Sequence, residues 1–570
     1  MKIFIPLLSA LLCLQLSSFA QYPAPSLIPQ PVEMKIGKAT DNFTIANNST
    51  QVYISDSDLK PSAEFFINFI KKYYLLDLTL TTIADPNRKN VINLFKDPTA
   101  QSIYLKKLIE HHKPDGLKWV KKAPLPEEHF AVENEEKYSL AVLSNAVTIR
   151  SNSSAGVFYG IQTLIQLLPP SPKPFPLQVK AVNITDYPRF AYRGMHLDVS
   201  RHFFDVSFVK KYIDYLAMHK LNYFHWHLTD DHGWRIEIKK HPRLTSVGAW
   251  RDGSIIGLYP GKGNDGIKHG GYYTQAEVKE VIKYAADRYI TIIPEIEMPG
   301  HSMAVLAAYP ELSTTPKQPK KVAETWGIFN KFNNVLLPSD QTFNFLEDVL
   351  TEVMALFPSQ YVHIGGDECS KIWWKQSAFS QQLIKEKGLK DENGLQSYFI
   401  HRIEKFVNSK RKTIIGWDEI LDGGLAPNAI VMSWRGEKGG IAAAKQKHKV
   451  IMTPENFMYF NHSQFLKDDS LTAARYLPLA DVYNYEPVPA VLTPVEAQYI
   501  WGGQGNLWTE YITNPAKVDY MLFPRLDALS EVLWSPKPKR SFVNFQERLK
   551  DQFRRYDMMG IKYSKRYLKP

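Results

Sequence analysis

Cysteine is nearly absent from this chain: its 570 residues hold two, Cys13 and Cys369. That rules out a small disulfide-built scaffold, and the length makes one unnecessary, since a chain of this size buries a large core across two or more domains. Long apolar runs are also lacking. The most apolar segment, Ile3 to Leu16, falls short of the ~20 residues that a membrane span needs, and no later segment is longer and as apolar. There is no arginine-rich arm, basic helix or short internal repeat. Lys and Arg are in excess, for a net charge of +11, but they are dispersed among 58 acidic residues. Scattered charge of this kind is a solvated surface, and it argues against nucleic acid or a membrane surface as the partner.

The N-terminus carries Lys2, the apolar run Ile3 to Leu16, and the small-x-small triplet Ser18-Phe19-Ala20 before Gln21. This is the pattern of a secretory signal peptide over residues 1–20. Cys13 lies inside it, and Leu11-Leu12 do not fit a lipid-attachment site. Removal of the signal leaves Cys369 alone, so the mature chain has no internal disulfide. An exported protein without disulfides suits a bacterial periplasm or secretion into the medium better than the eukaryotic secretory route, and Asn183-Ile-Thr is then a chance match to a glycosylation site.

Residues 21–187 mix strand-like and helix-like pieces. "YSLAVLSNAVTIRS" predicts two strands around Ser144-Asn145. "SAGVFYGIQTLIQLLPP" predicts a helix with Phe158, Leu164, Ile165 and Leu168 on one side, stopped by Pro169-Pro170. The proline-rich "PPSPKPFP" follows as a connector, which makes this a small α/β domain. From about Ala191 the rhythm changes. Strands are expected at 192–199, 221–228, 290–296, 361–364, 413–417, 429–434, 449–453 and 500–508, with amphipathic helices between them. Thr274 and Glu277 form a capping box, and a long helix is expected over about 393–410. Eight strand–helix alternations predict an α/β fold with a catalytic (β/α)8 barrel over 188–545, followed by a tail at 546–570 packed on or near it.

Active sites of such barrels form at the C-terminal ends of the strands. Here those ends carry Asp198, Asp230-Asp231, Glu295 and Glu297, Asp367-Glu368, Trp417-Asp418, Trp434, Tyr459 with Asn461, and Trp508 with Glu510. Eleven of the twelve tryptophans lie in this half, all but Trp119. Sugar rings offer C–H faces to aromatics and hydroxyls to carboxylates, so the combination points to a carbohydrate pocket. Trp226, Trp501 and Trp534 are expected to be packing residues instead.

The acidic pair Asp367-Glu368 closes the stretch "YVHIGGDEC". Two carboxylates that attack opposite sides of one glycosidic bond stand about 5–5.5 Å apart for retention and about 6.5–9.5 Å for inversion. Adjacent strand residues point to opposite faces and are poorly placed for that task. A break at Gly365-Gly366 lets both lean into one pocket. One carboxyl then protonates the leaving oxygen, its pKa raised by the like charge beside it, and the other holds a neighbouring substrate group. The nucleophile then comes from elsewhere, the substrate itself included.

"HIGGDE" (363–368), "YRGMHLDVSRHF" (192–204 with its neighbours), "HWHLTDDHGWR" (225–235), "PEIEMPGH" (294–301), "GWDE" (416–419) and "LWTE" (507–510) together resemble the family 20 β-N-acetylhexosaminidases, in the same order along the chain. The resemblance spans nearly the whole mature chain. It implies exo-hydrolysis of terminal N-acetylglucosamine or N-acetylgalactosamine with retention, the sugar's 2-acetamido oxygen acting as nucleophile, and no cofactor or metal. By similarity Glu368 is the general acid and then base, Asp367 orients the acetamido group, and Tyr459 donates to its oxygen. Trp417, Trp434 and Trp508 wall the subsite. Arg193 and Glu510 grip the outer hydroxyls, and Asn461 contacts O4 or O6. Asp198, His301 and Asp230 support the acid, His363 is structural, and Cys369 has no assigned role.

Three alternatives compete. An endo-acting or disaccharide-releasing enzyme fits the same scaffold. His225-x-His227 at a strand end, with Asp230, is the spacing of metal-dependent barrel hydrolases. A non-catalytic sugar-binding protein keeps the tryptophans and has no need of Glu368.

Overall fold

The computed structural model describes residues 24–97, 136–171, 176–468 and 470–568. The signal peptide expected over residues 1–20, Trp119 and part of the proline-rich connector lie outside the described residues.

All eight expected barrel strands are present and close on themselves in parallel order. They are β1 (Tyr192–Asp198), β2 (Tyr223–His227), β3 (Thr291–Met298), β4 (Tyr361–Gly365), β5 (Thr413–Trp417), β6 (Ile430–Ser433), β7 (Val450–Met452) and β8 (Ile500–Gly505). Closure comes from β8 beside β1, with Tyr192 opposite Gly502 and Arg193 opposite Gly503. Helices cover the outside. Val206–Met218 starts on Asp205, whose side chain accepts from the Phe208 amide, and it buries Phe208, Tyr212, Ile213 and Leu216. Gln275–Ala286 opens on the Thr274–Glu277 capping box, each side chain accepting from the other's backbone. The long helix runs over Glu392–Ser409.

Register places the chemistry. Asp198 pairs with His227, His227 with Glu295, and Glu295 with His363, so one layer of the barrel interior is polar across four strands. Below it Tyr192, Tyr223, Tyr361 and Trp501 pack together, with Tyr192 and Tyr223 stacked at 4.4 Å, and plug the floor. Trp501 is thus packing, as is Trp226, which lies fully buried against Phe224 and Tyr273.

The N-terminal domain is a seven-stranded mixed sheet in the order Glu33–Ile36, Val182–Asp186, Tyr138–Leu143, Ala146–Ser151, Val91–Lys96, Gln51–Ile54, Thr79–Thr81. Its helices Lys60–Tyr74 and Ser154–Leu167 meet the barrel through Ser62 and Phe158, both in contact with Tyr289. A buried polar knot completes the junction. Asp186 accepts from Lys220 Nζ at 3.0 Å, from Trp534 Nε1 at 3.0 Å and from the Tyr138 hydroxyl at 2.7 Å. The last α-helix among the described residues, Phe542–Met559, spans the boundary expected at 545. Its Arg548 pairs with Glu531 on the barrel side at 2.6 Å, and Arg555 reaches the Gln166 carbonyl of the N-terminal domain at 2.5 Å.

One site residue expected from the sequence is misplaced. Arg193 is the second residue of β1 and therefore lies at the foot of the barrel, opposite the catalytic face. It is fully buried, donates to the carbonyls of Lys220 and Phe190, pairs with Glu136 at 2.7 Å and lies over Trp534. It cannot touch a sugar; it fastens the barrel to the N-terminal domain.

Candidate active site

β4 stops being a strand at Gly365, and the reason is steric. Gly365 has φ +67° and its Cα faces Glu297, so that a Cβ there would stand 1.7 Å from Glu297 Oε2. Gly366 follows at φ +94°, and Glu368 itself takes φ +42°, a left-handed value that costs a non-glycine residue about 1–3 kcal/mol. These turns defeat the alternation of a strand. Asp367 and Glu368 both reach His301, with Asp367 Oδ2 and Glu368 Oε2 each 3.5 Å from its Nε2. Asp367 is buried, whereas the Glu368 side chain is 47% exposed and faces the mouth.

His301 also has positive φ, +46°, and is held from behind. Its Nδ1 lies 3.0 Å from Asp231 Oδ2 and 3.4 Å from Asp230 Oδ1. Asp231 is fixed in turn by the Met303 amide and by Asn334 Nδ2. Burial works against a charge on His301. Asp230 and Asp367, with the bonds from Asp230 and Asp231, overcome it and hold the imidazole well above its ordinary value. The resulting imidazolium, through its contact with Glu368 and its charge, holds that carboxyl below the usual range.

The arginine that faces the pocket is Arg201, in the same motif as Arg193 but beyond the tip of β1. Its Nη2 lies 2.8 Å from Asp230, its Nη1 3.4 Å from Asp198, and its guanidinium sits over Trp508. Asp198 is the anchor of this corner, accepting from the amides of Ser200, Arg201 and Thr509. Burial would raise the Asp198 carboxyl, but Arg201, His227 and the Thr509 amide together outweigh it and hold it below its ordinary value. Glu510 stands beside Arg201 and is pushed up by burial, an effect that Arg201 partly offsets.

The three pocket tryptophans are gathered at the mouth. Trp417 and Trp508 are 5.8 Å apart, and Tyr459 stands 6.2 Å from Trp434 and 6.3 Å from Trp508. Burial keeps the Tyr459 hydroxyl protonated, as a donor must be. Each indole beneath is pinned by a buried acid: Trp417 Nε1 donates to Glu295 and Trp434 Nε1 to Glu419, both at 2.8 Å. Asn461 is half-buried, its Oδ1 without a hydrogen-bond partner among the described residues. The sequence reading placed Asp231, Glu295 and Glu297 at strand ends without an individual role, and gave none to Arg201, Asn334 or Glu419. Position relative to a strand end could have found Arg201. The others act through neighbours that only the fold brings together.

The His225–His227 alternative is answered by the hydrogen bonds. Gln504 Nε2 faces His225 Nδ1 at 3.0 Å; an amide nitrogen donates, so the imidazole proton sits on Nε2, 3.0 Å from Glu295. His227 has carboxylates at both nitrogens, Glu295 and Asp230. The lone pairs that a metal needs are therefore occupied in both rings. His363 joins the same group through Glu295 at 2.8 Å.

The match of this geometry to known proteins is broad. The description "Glycosyl hydrolase family 20, catalytic domain" fits residues 190–537, and "Glycosyl hydrolase family 20, domain 2" fits 24–187. The chain belongs to glycosyl hydrolase family 20. It is 41% identical over 568 residues to a beta-hexosaminidase of Porphyromonas gingivalis, which covers 98% of this chain and 67% of the relative. It is 40% identical over 403 residues to a beta-hexosaminidase of Vibrio furnissii, covering 70% of this chain and 65% of that one, so it spans about two thirds of the length of both. Among solved structures, an exo β-N-acetylglucosaminidase of Vibrio harveyi in complex with N-acetylglucosamine superposes with a TM-score of 0.79. The two share 32% identity over 95% of this chain and 79% of the other. As a member of this family the chain is a glycoside hydrolase.

Proposed function

We propose that this enzyme is an exo-acting β-N-acetylhexosaminidase. It removes terminal non-reducing N-acetylglucosamine or N-acetylgalactosamine from glycans or chitooligosaccharides, and it does so as an exported protein of the periplasm or medium. The observation that carries the reading is that Asp367 and Glu368 both contact one nitrogen of His301 and do not face each other across a sugar-sized gap. A carboxylate pair so placed has an acid and an orienting group but no protein nucleophile, and the acetamido oxygen fills that role.

Asp367 accepts the acetamido N–H, and Tyr459 donates to the acetamido oxygen. That oxygen bonds to C1 while the bond from C1 to the leaving oxygen breaks and Glu368 passes its proton to it. Sugar over the mouth removes water from Glu368 and favours the protonated form that this step requires. Water then attacks C1, gives its proton to Glu368, and the acetamide is regenerated. Trp417, Trp434 and Trp508 wall the subsite. Arg201, in place of Arg193, grips the outer hydroxyls with Glu510. Charged groups at that end favour a closed pocket and single-residue release over an endo mode.

The test compares aryl β-N-acetylglucosaminide with aryl β-glucoside, and adds a thiazoline mimic of the oxazolinium. Hydrolysis restricted to the N-acetylated substrate, with strong inhibition by the mimic, is expected. Equal cleavage of the glucoside would overturn substrate assistance.

A further inference from the structure

Glu297 is a buried carboxyl that the mechanism above does not use. It sits on β3, 2% exposed, with its head lying flat against the Cα of Gly365, two residues before Asp367. Its backbone is tied, the Glu297 N–H donating a hydrogen bond to Thr229 Oγ1 at 2.9 Å. Both carboxyl oxygens lack a hydrogen-bond partner among the described residues, and so does Oδ1 of the neighbouring Asp367. A buried carboxylate with no donor is costly, and a second buried acid close enough to repel it makes the cost higher. One shared proton removes both defects: a protonated carboxyl donates, and an ionised one accepts.

The surroundings decide which acid carries the proton. Asp367 already has a cationic partner, the His301 imidazolium, 3.5 Å from its Oδ2. The groups facing Glu297 are Glu295, Asp230, Asp367, His227 and His301. Of these, His227 is already committed to Glu295 and Asp230, and His301 to Asp230, Asp231 and the catalytic pair. Burial, then the charges of Asp367 and Glu295, push Glu297 well above the usual carboxyl range.

We propose that Glu297 is a proton-bearing positioning residue that donates a hydrogen bond to Oδ1 of Asp367. The bond fixes the rotation of the Asp367 carboxylate, so that its other oxygen meets the acetamido N–H at the angle for attack on C1. Gly365 is glycine because this carboxyl needs the space that a Cβ would fill. The inference rests on the orienting role given to Asp367 above.

Glu297→Gln and Glu297→Ala test it against wild type on aryl β-N-acetylglucosaminide, with thermal melts to certify folding. The Gln amide still donates, so Glu297→Gln is expected to keep kcat within several-fold and leave the pH profile in place. Glu297→Ala is expected to lose about 10- to 100-fold, the range of one charge-assisted hydrogen bond, in kcat more than in KM, and to bind the thiazoline mimic correspondingly less well. Equal damage in both folded variants overturns the proposal, as does full activity in Glu297→Ala. An infrared difference spectrum, wild type minus Glu297→Gln at neutral pH, decides even where the alanine variant does not fold. A carboxylic-acid C=O band supports the assignment, and a carboxylate band alone overturns it. If wild type itself fails to prefer the N-acetylated substrate, it is the proposed function that falls, which separates the two failures.

Discussion

Arg193 and Arg201 stand at opposite ends of β1, in one stretch of sequence, and that strand separates them by roughly 20 Å at ~3.3 Å per residue. The separation gives them different consequences on replacement. Arg201→Met removes a cation that pairs with Asp230 and Asp198 at the pocket wall. It is expected to lower kcat/KM by about 10- to 150-fold, the worth of a hydrogen bond to a charged group, as a steady-state assay would show. Arg193→Met leaves Glu136 without that cation at the domain junction and is expected to cost about 3–5 kcal/mol in a denaturant titration, with near-normal turnover per folded molecule. The reverse pattern would restore the original assignment. His301 makes a second residue-scale prediction. Its positive charge lowers Glu368, so removing it in His301→Asn lets Glu368 hold its proton to higher pH. The alkaline limb of kcat/KM should move upward even as the maximum falls, and an unmoved limb would mean that Glu368 does not set it. The residue types of the pocket were legible because tryptophans and acids cluster at strand ends. Arg193 was misread because family similarity named an arginine in a motif holding two. Counting along β1 settles the matter, since nothing before Asp198 reaches the catalytic face.

The eight barrel strands were legible because each is a short apolar run bounded by turn chemistry, and helices such as Val206–Met218 and Gln275–Ala286 open on a capping side chain. What the sequence could not show is how β4 ends. "GGDE" announces a break, but the direction of the turn depends on Glu297, a residue of the neighbouring strand that only pairing brings alongside. The prediction at this scale concerns Gly365. Alanine there must adopt φ +67° and displace the Glu297 carboxyl, so Gly365→Ala is expected to cost about 2–5 kcal/mol from left-handed strain and overpacking together. Gly388 has a similar φ of +63° but open space around it, and Gly388→Ala should cost only about 1–2 kcal/mol. Denaturation midpoints of the two variants measure the difference. If they coincide, the Glu297 carboxyl moves aside freely and Gly365 is a turn residue and nothing more.

At the scale of the whole molecule, polar groups in the barrel and its loops respond to pH together. Burial holds His202 and His225 down to about 4, and burial with the charge of Arg525 holds His462 at about 3. Unfolded imidazoles titrate near ~6.5, so between about pH 6.5 and 4 the unfolded chain binds protons that the folded chain refuses. Stability must fall as pH drops through that window, each of these three histidines contributing up to about 1.4 kcal/mol per pH unit. His227 works in the opposite direction. Burial disfavours its charge, but Glu295 and Asp230 raise it to about 10. Its contribution is complete below about pH 6.5 and is lost as pH climbs toward about 10. The melting temperature should therefore trace a dome with its top near neutrality and a steep acid side. Catalysis pulls against that shape, because the low-set Glu368 of the free enzyme favours acid for kcat/KM. Assays too brief for unfolding should keep gaining rate below about pH 6.5, while preincubation at the same pH should abolish activity progressively. A melting temperature level from about pH 7 to about pH 4 would remove the buried neutral histidines as the cause.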